Sequence, residues 1–559
     1  MTRKAVRLTA AVLAAVFLWL VVTLPPRPAT ASGAVDEAMR ARTIAGAFHV
    51  HSTRSDGSKD REAIAAAAAR AGLRFVVMTD HGDATGQLSP AYINGVLCID
   101  AVEISTNGGH LMALDMPAAP YPLGGEAAAV VEDVLRLGGI PVVTHPDSSK
   151  PELAWKDWGA PVAGLEWLNL DSGWRDESYA SVARVAVDYQ VRPGPALASL
   201  LERPASSLSR WDEVAARRTM IGLAGHDVHG GLLPRREEGA EASSPGFAAG
   251  VFSTYEASFA TFAVRVLLDG PLTGDPARDA RRLLDATRRG RLYTAIDAIA
   301  APVAAEYRAT LGSSTFGMGD EVAFQEGATL TFRSPLPPGA VQVLLRDGID
   351  VAESRSGELR FTPPGPGAYR VEVRDPRWPV PWIATNPIYF RLSTGDETPE
   401  AVEPAVVVSR ALDLNLGVVE KDPLSTADLS GTGDRTLGFV LRPGERVSQY
   451  VALAVPLPRQ LSTFDRVMFT GRSQVPMRVS VQLRFESVGG ARWRHSVYLS
   501  PESRQIIVPL DRLLPADQPT TRPASELATS LLFVVDLTNA APGTRGGFEI
   551  SDLRLATTR

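Results

Sequence analysis

The amino-acid sequence predicts a multidomain protein in which an α/β domain is followed by a small all-β module and a C-terminal β-sandwich. Its 559 residues exceed what one hydrophobic core usually organises, since a domain typically holds roughly 100–200 residues. In the first half, short apolar runs alternate with Ala/Leu/Arg-rich helical stretches, which is the rhythm of βαβ units. After about residue 305 the pattern changes to short alternating runs separated by Pro/Gly turns, which is typical of β modules.

Composition and charge exclude several classes of protein. Hydrophobic residues make up 45% of the chain and charged residues 21%, values that fit neither a disordered nor a polytopic membrane protein. The net charge of −6 offers no basic field for a nucleic-acid backbone, so no nucleic-acid partner is expected. The single cysteine, Cys98, excludes an intramolecular disulfide and a thiolate-rich metal site, so a metal would need nitrogen and oxygen ligands. Because Cys98 lies in an apolar run, we expect it to be a core thiol.

Residues 1–32 have the three parts of a secretory signal. Basic residues precede an uncharged stretch from Leu8 to Pro26, and small residues that offer a cleavage site end at Ala31. The apolar run is also close to the length that spans a bilayer, so the segment is either a cleaved signal peptide or a membrane anchor. Both interpretations predict an exported protein that is periplasmic, extracellular or anchored with its bulk outside.

The α/β domain is expected over residues 40–304, and one of its units shows the pattern clearly. Ser58 is expected to cap a helix over residues 60–71, and Gly72 to end that helix. The apolar residues 75–79 follow and predict a fully buried strand.

The later part of the chain is divided by a polar segment. Residues 305–391 predict the small β module, and residues 392–405, rich in Glu, Thr and Pro, predict a solvated linker. Residues 406–559 contain successive strand-like runs, including 477–485 and 531–537, which predict the β-sandwich. We expect this last domain to fold independently of the α/β domain.

Histidines are concentrated in the α/β domain. Seven of the eight, all except His495, lie between His49 and His229. Most of them end or follow an apolar run, and α/β domains carry catalytic side chains at strand carboxyl ends and in the loops after them. One histidine in such a place is more often structural than a ligand, but recurrence over five segments favours a metal site. The segments contain His49, His51 and Asp56; His81; Glu103 and His110; His145; and Asp227 with His229.

The order of these motifs, from His-x-His-x4-Asp-Gly to the final Asp-x-His, resembles the PHP family, named for its polymerase and histidinol phosphatase domains. The resemblance covers about residues 44–300. It implies a metal-dependent phosphoesterase on a distorted (β/α)7 barrel, with two to three divalent transition-metal ions that are zinc, manganese or iron. The ligands that it implies are His49, His51, Asp56, His81, Glu103, His110, His145, Asp227 and His229.

The same resemblance implies a reaction and roles for individual residues. A phosphomonoester or phosphodiester is expected to be hydrolysed by a metal-activated water on a trinuclear site. Glu103 is expected to bridge the ions, and His229 or His81 is either a ligand or the acid that protonates the leaving group. The expected catalytic residues are Glu103, His81, Asp227 and His229.

Two neighbouring residues have open roles. Asn169 ends the apolar segment 164–169 and either lines the site as a substrate contact or caps a turn. His226 stands directly before the Asp-x-His motif, where the family more often has a small residue. It is either a partner of the ligands or an exposed side chain.

The C-terminal domain supplies an alternative function. Its closing Gly-Phe-Glu-Ile-Ser-Asp-Leu-Arg-Leu resembles galactose-binding-like jelly-roll modules, which implies a carbohydrate partner. Trp493, Tyr498 and Phe533 can stack on sugar rings, although aromatic residues at strand spacing are more often core. The alternatives are therefore a phosphoesterase for a small-molecule or glycan-linked phosphoester, and a carbohydrate- or cell-envelope-binding protein that keeps the barrel as a scaffold. The complete ligand set favours the enzyme.

Overall fold

A computed structural model describes residues 21–31, 37–175, 178–230, 254–301, 304–392, 406–459, 461–486, 490–516 and 521–558, with a few positions between 11 and 19. Residues 1–10 of the expected export segment (1–32), with a few of its later positions, and all of the expected linker (392–405) except Leu392 lie outside these residues. Among the described residues, no helix combines the length and the apolar character needed to cross a membrane. The chain divides into an N-terminal unit (1–82, 87–117 and 134–394) and a C-terminal unit (83–86, 118–133 and 395–559).

Strands and helices alternate in part of the chain between residues 29 and 295. The strands are β1 (Ala29–Thr30), β2 (Thr43–Val50), β3 (Phe75–Met78), β4 (Ala91–Ile93), β5 (Val96–Asp100), β6 (Val102–Thr106), β7 (Gly109–Leu114), β8 (Ile140–Val143), β9 (Gly164–Asn169), β10 (Ile221–Val228), β11 (Ala263–Leu267) and β12 (Leu292–Ala295). The helices are α1 (Glu37–Arg42), α2 (Arg61–Arg70), α3 (Ala127–Arg136), α4 (Ser172–Arg175), α5 (Tyr179–Tyr189), α6 (Pro193–Ala198), α7 (Ala205–Ala215), α8 (Tyr255–Phe259) and α9 (Pro276–Arg288).

Strands β2 to β12 belong to one closed sheet. β2 lies parallel to β3 and β10, β3 lies parallel to β5, and β9 lies parallel to β8 and β10. β6, β7 and β8 are joined by antiparallel pairings. A regular βαβ alternation is therefore wrong for β4 to β7, which follow one another without a helix. The carboxyl ends of the parallel strands meet on one side of the sheet, where ligands usually bind.

The unit formed by α2 and β3 follows the predicted order but has a different cap. Asp60, not Ser58, is the N-cap, and its side chain accepts a hydrogen bond from the Ala63 N–H at 2.8 Å. The backbone N–H of Ser58 instead donates to the carbonyl of His229 at 2.7 Å. Gly72, with a φ of 80°, follows the helix as expected, and all of β3 is buried.

All described elements between residues 300 and 391 are strands. They are β13 (Ala300–Ala301), β14 (Glu306–Leu311), β15 (Ser314–Gly317), β16 (Glu321–Ala323), β17 (Thr329–Arg333), β18 (Val341–Arg346), β19 (Ile349–Ser354), β20 (Glu358–Phe361), β21 (Gly367–Arg374), β22 (Ile383–Thr385) and β23 (Ile388–Arg391). β15, β14, β17 and β20 form a separate sheet in that order. β22 pairs with β12, with Thr385 opposite Tyr293, so the closed sheet continues into this middle module.

Buried charges join the middle module to helix α7. Arg370 of β21 is 1% exposed and donates two hydrogen bonds to the carboxylate of Asp212, both at 2.7 Å. Glu372 of the same strand accepts hydrogen bonds from Arg370 at 2.8 Å and from Arg203 at 3.0 Å. A buried charge is tolerated only when it is paired. The network therefore holds residues 203–212 in place.

The C-terminal unit contains the predicted β-sandwich. Its strands are β24 (Val406–Ala411), β25 (Val418–Lys421), β26 (Thr426–Ser430), β27 (Arg435–Val440), β28 (Tyr450–Pro456), β29 (Arg466–Ser473), β30 (Met477–Phe485), β31 (Arg492–Leu499), β32 (Arg504–Pro509), β33 (Leu514–Pro515), β34 (Ala528–Asp536) and β35 (Arg545–Thr558). They form two six-stranded sheets whose facing side chains share one core. In this core Phe469 packs edge-on against Phe533 at a ring-centroid distance of 5.1 Å, so Phe533 is not a surface for sugar stacking.

Residues 118–133 are an unexpected part of the C-terminal unit. Asp133 accepts hydrogen bonds from Arg478 of β30 at 2.7 and 2.8 Å, and both side chains are 1% exposed. The Tyr121 hydroxyl donates to the same carboxylate at 2.9 Å. The Asn539 side chain donates to the carbonyl of Pro122 at 3.0 Å. The sandwich predicted from the sequence begins at residue 406 and therefore does not include this segment.

Candidate metal centre

The nine residues predicted as ligands come together in the N-terminal unit. They form four overlapping groups, and within each group the ligand atoms lie within 4.8 Å of one another. Imidazole and carboxylate donors in this arrangement suit divalent transition metals. The groups are His51, Asp56, His81 and His229; His49, His145 and Asp227; His49, His51 and Glu103; and His81, Glu103 and His110.

Glu103 lies at the middle of the cluster and is 1% exposed. Its two carboxylate oxygens face different imidazoles. Oε1 lies 2.9 Å from His145 Nε2 and 3.2 Å from His110 Nδ1, and Oε2 lies 3.2 Å from His49 Nε2, 3.4 Å from His51 Nε2 and 3.3 Å from His81 Nδ1. Burial alone would raise the pKa of Glu103, but these imidazoles, His49 first, hold it well below its ordinary value.

Two further carboxylates complete the cluster. Asp227 Oδ1 lies 3.3 Å from His49 Nε2 and 3.4 Å from His51 Nε2. Asp56 Oδ2 lies 3.1 Å from His229 Nε2. Burial alone would lower the pKa of His49, but Asp227, Glu166 and Glu103 together raise it well above its ordinary value. The carboxylates thus stabilise positive charge in the cluster. A bound cation would supply that charge in place of protons on the imidazoles.

Two buried imidazole nitrogens fit a metal better than a hydrogen bond. His49 Nε2 and His51 Nε2 have no hydrogen-bond partner among the described residues. Both nevertheless lie 3.2–3.4 Å from carboxylate oxygens of Glu103 and Asp227. Buried polar atoms are nearly always satisfied, and a divalent ion between these donors would satisfy both nitrogens. The residues present therefore fit a metal.

The backbone is strained at three of these residues. His49, His145 and Asp227 have φ values of 61°, 30° and 48°, a region that residues other than glycine rarely adopt. The register of β2 against β3 shifts between Ala47 and Val50, and that of β10 against β2 shifts between Gly225 and Val228. Residues 47–50 therefore depart from a regular strand, and His49 and His51 still lie in one ligand group. Bulges and backbone strain of this kind concentrate at functional sites.

Glu166 is a site residue that the sequence did not indicate. Its Oε1 lies 2.7 Å from His49 Nδ1, and its Oε2 accepts hydrogen bonds from the His145 N–H at 2.8 Å and Asn169 Nδ2 at 2.9 Å. A carboxylate on the outer nitrogen of a ligand histidine orients the ring. The sequence feature that could have revealed it is a glutamate inside an otherwise apolar run. Asn169 Nδ2 also lies 3.3 Å from Asp227 Oδ2, so Asn169 borders the centre.

Two other residues hold the loops that carry the ligands. Asp80, 5% exposed, accepts hydrogen bonds from the Ser52 N–H and hydroxyl, both at 2.7 Å. The Tyr255 hydroxyl lies 2.7 Å from the carbonyl oxygen of His51 and 2.8 Å from that of His229. Asp80 directly precedes His81 in the sequence Thr-Asp-His, but its contact with Ser52 joins residues that are 28 positions apart. Tyr255 also acts on backbone that is distant in sequence.

His226 and Cys98 are core residues. The His226 ring stacks on Phe262 at a centroid distance of 4.1 Å, and its nitrogens face the carbonyls of Phe262 and Phe48. His226 is 1% exposed, so the exposed alternative is wrong, and burial lowers its pKa to about 4. Cys98 is buried in β5 as expected, and burial raises the pKa of its thiol to about 11.

Gly225 provides the space for Glu166, which gives a first prediction. A Cβ at this position would lie 1.8 Å from Glu166 Oε1. Gly225→Ala is therefore expected to displace the carboxylate from His49 and to lower metal affinity by roughly 10–100-fold, as loss of an orienting partner does elsewhere. Metal titration of the purified variant measures this.

Gly86→Ala is the matched control, because a Cβ at Gly86 meets nothing within 4 Å. Circular dichroism should show both variants folded. An unchanged metal affinity in Gly225→Ala would mean that Glu166 does not orient His49.

Comparisons with known proteins give distant likenesses. No family model and no curated protein matches the chain. A two-domain protein containing a predicted PHP-like metal-dependent phosphoesterase from Bacteroides vulgatus is 13% identical, with a TM-score of 0.29, over 65% of this chain and 99% of that one. The family 11 carbohydrate-binding module of the cellulosomal cellulase Lic26A-Cel5E of Clostridium thermocellum is 14% identical, with a TM-score of 0.23, over 28% of this chain and 97% of that one. At these TM-scores the likenesses carry no weight for function.

Proposed function

We propose that this protein is an exported metal-dependent phosphoesterase that hydrolyses a phosphomonoester or phosphodiester. The main support is the meeting of two unpartnered buried nitrogens, His49 Nε2 and His51 Nε2, with carboxylate oxygens of Glu103 and Asp227. Six imidazoles and three carboxylates offer enough donors for two to three ions of zinc, manganese or iron. The motif order, which resembles that of the PHP family and its distorted (β/α)7 barrel, supports the same proposal.

The chain's own residues divide into buried and accessible groups. His49 and His51 are fully buried, whereas the His81 and His229 side chains are 36% and 28% exposed. Bound divalent ions would hold phosphoryl oxygens and lower the pKa of water, so no nucleophilic side chain is required. Among the imidazoles of the cluster His81 and His229 are the most exposed, and whichever of them does not bind an ion can donate a proton to the leaving-group oxygen.

The other regions have proposed supporting roles. Export rests on the sequence of residues 1–32. The sandwich is proposed to be a galactose-binding-like accessory domain that brings the enzyme to a glycan-linked substrate. The alternative, a binding protein that keeps the barrel as a scaffold, differs in one observable respect, because it predicts no turnover.

Metal analysis and hydrolysis assays on the purified full chain test the enzyme. Chelation is expected to abolish hydrolysis of p-nitrophenyl phosphate or bis(p-nitrophenyl) phosphate, and added manganese or zinc to restore it. The double variant His49→Ala/His51→Ala is expected to lose at least one ion, because it removes two donors that face both Glu103 and Asp227.

His495→Ala is the matched control, since His495 is the histidine outside the 49–229 segment. It should retain its metal and its rate. Full metal content in the double variant would show that the ligand assignment is wrong. A metal-loaded protein that hydrolyses no ester of a broad phosphoester panel would favour the binding protein.

A further inference from the structure

A cavity of about 450 Å³ opens beside the candidate metal centre. His145, Glu166 and Asn169 form the wall that it shares with the centre, and Ser172 and residues 202–207 form other walls. Small-molecule pockets usually measure about 300–1,000 Å³. The cavity is therefore large enough for the alcohol part of a phosphoester whose phosphoryl group lies at the centre.

The features of this cavity that attract anions are already neutralised by carboxylates of the protein. Arg203 pairs with Glu372, which is fully buried, at 3.0 Å. At the N-terminus of helix α7, Asp147 Oδ2 accepts hydrogen bonds from the Ser207 N–H and hydroxyl at 2.7 and 2.5 Å. A helix N-terminus favours negative charge, so Asp147 occupies the position that an anionic substrate group would take.

The remaining polar groups suit hydroxyls. Within the described part of the chain, the hydroxyls of Ser172 and Ser206 and the carboxylate of Glu202 have no protein partner, and all three line the cavity. Carboxylates accept hydrogen bonds strongly, and hydroxyls both accept and donate them. Glu202 and Ser206 are exposed to solvent. The charge of Glu202 would repel a second anionic group, and an apolar group that covered these polar atoms would remove their water without replacing its hydrogen bonds.

We propose that this cavity binds the alcohol part of the substrate and selects a hydroxyl-rich, uncharged group such as a sugar or polyol. The proposal rests on the proposed phosphoesterase function. The wall that carries Glu202 and Ser206 is held in place by the middle module. Glu372 accepts a hydrogen bond from Arg203, and Arg370 donates two to Asp212. A fixed wall favours selection by hydrogen bonds, since misplaced partners would be left unpaired.

Three six-carbon monophosphates test this selectivity on the metal-loaded full chain. Sorbitol 6-phosphate carries hydroxyls, 6-phosphogluconate adds a carboxylate, and hexyl phosphate has neither. We expect kcat/KM for sorbitol 6-phosphate to exceed that of the other two by about 10–100-fold, the range of one or two hydrogen bonds. Glu202→Leu should reduce this preference, and Glu202→Lys should shift it toward 6-phosphogluconate.

Glu213→Leu is the matched control, because Glu213 is an exposed α7 residue paired with Arg210 at 2.6 Å. It should keep the wild-type preference and the wild-type rate on p-nitrophenyl phosphate. A wild-type preference for 6-phosphogluconate or hexyl phosphate, or an unchanged preference in Glu202→Leu, would overturn the proposal.

Failure of the proposed function has a different signature, which is no hydrolysis of any of these esters or of p-nitrophenyl phosphate. Calorimetry with sorbitol then tests the cavity separately. Binding to the wild type that is weakened in Glu202→Leu would support the cavity as a polyol site. Absence of sorbitol binding would overturn it.

Discussion

The substitution Glu103→Gln is expected to remove at least one metal ion and to slow phosphoester hydrolysis by roughly 10²–10³-fold or more. Glu103 has five imidazole nitrogens within 3.4 Å of its two oxygens. Glutamine keeps the volume, but it replaces one carboxylate oxygen by an amide N–H group and removes the negative charge. A cation held between the imidazoles would therefore lose its central counter-charge. Metal content and kcat/KM with p-nitrophenyl phosphate measure the two effects.

Glu126→Gln is the control for this variant. Glu126 is also buried, at 4% exposed, and lies 3.1 Å from a histidine, His495, that is outside the centre. This control should retain both metal and rate. Thermal unfolding of both metal-free variants separates loss of the site from loss of the fold. Full metal content and rate in Glu103→Gln would refute the central role of this carboxylate.

The grouping of the nine predicted ligand residues could be expected because each belongs to a local pattern. His81 and His145, for example, follow apolar runs that form β3 and β8, and such strand ends converge in α/β domains. The strained backbone of His49 could not be predicted, because it depends on how β2 pairs with β3 and β10. Glu166 was missed for a related reason, since it acts through the ring of His49 and shares no motif with it.

In the sandwich, too, a strand could be predicted from its own residues, but a contact between residues distant in sequence could not. The run 477–485 could be predicted as a strand from its own alternation, and β30 has those bounds. The pairing of Arg478 in that strand with Asp133 spans 345 positions of sequence. Helical periodicity around Asp133 indicates a helix but does not say which surface the helix covers. Sequence patterns could therefore not predict that residues 118–133 belong to the C-terminal unit.

Breaking this pair is expected to destabilise the C-terminal unit by at most about 3–5 kcal/mol, the cost of removing one partner of a buried ion pair. In Asp133→Asn, the Arg478 guanidinium keeps the Ala129 carbonyl at 2.9 Å and Glu132 at 2.7 Å. It loses the one carboxylate that is as deeply buried as itself, because the Glu132 side chain is 54% exposed. Hydrogen exchange of β30 and β34 amides in the full chain measures the change.

Two further variants separate the buried charge from other effects. The double variant Arg478→Met/Asp133→Leu removes both charges together and is expected to recover most of the lost stability. Arg472→Met breaks an exposed pair with Glu549 in the same sandwich, with side chains 52% and 26% exposed, and should cost less than about 1 kcal/mol. If Asp133→Asn costs no more than Arg472→Met, the buried pair does not stabilise this unit. The independent folding of residues 406–559 stays a prediction, and we expect that fragment to be less stable than the same strands in the full chain, because it lacks Asp133.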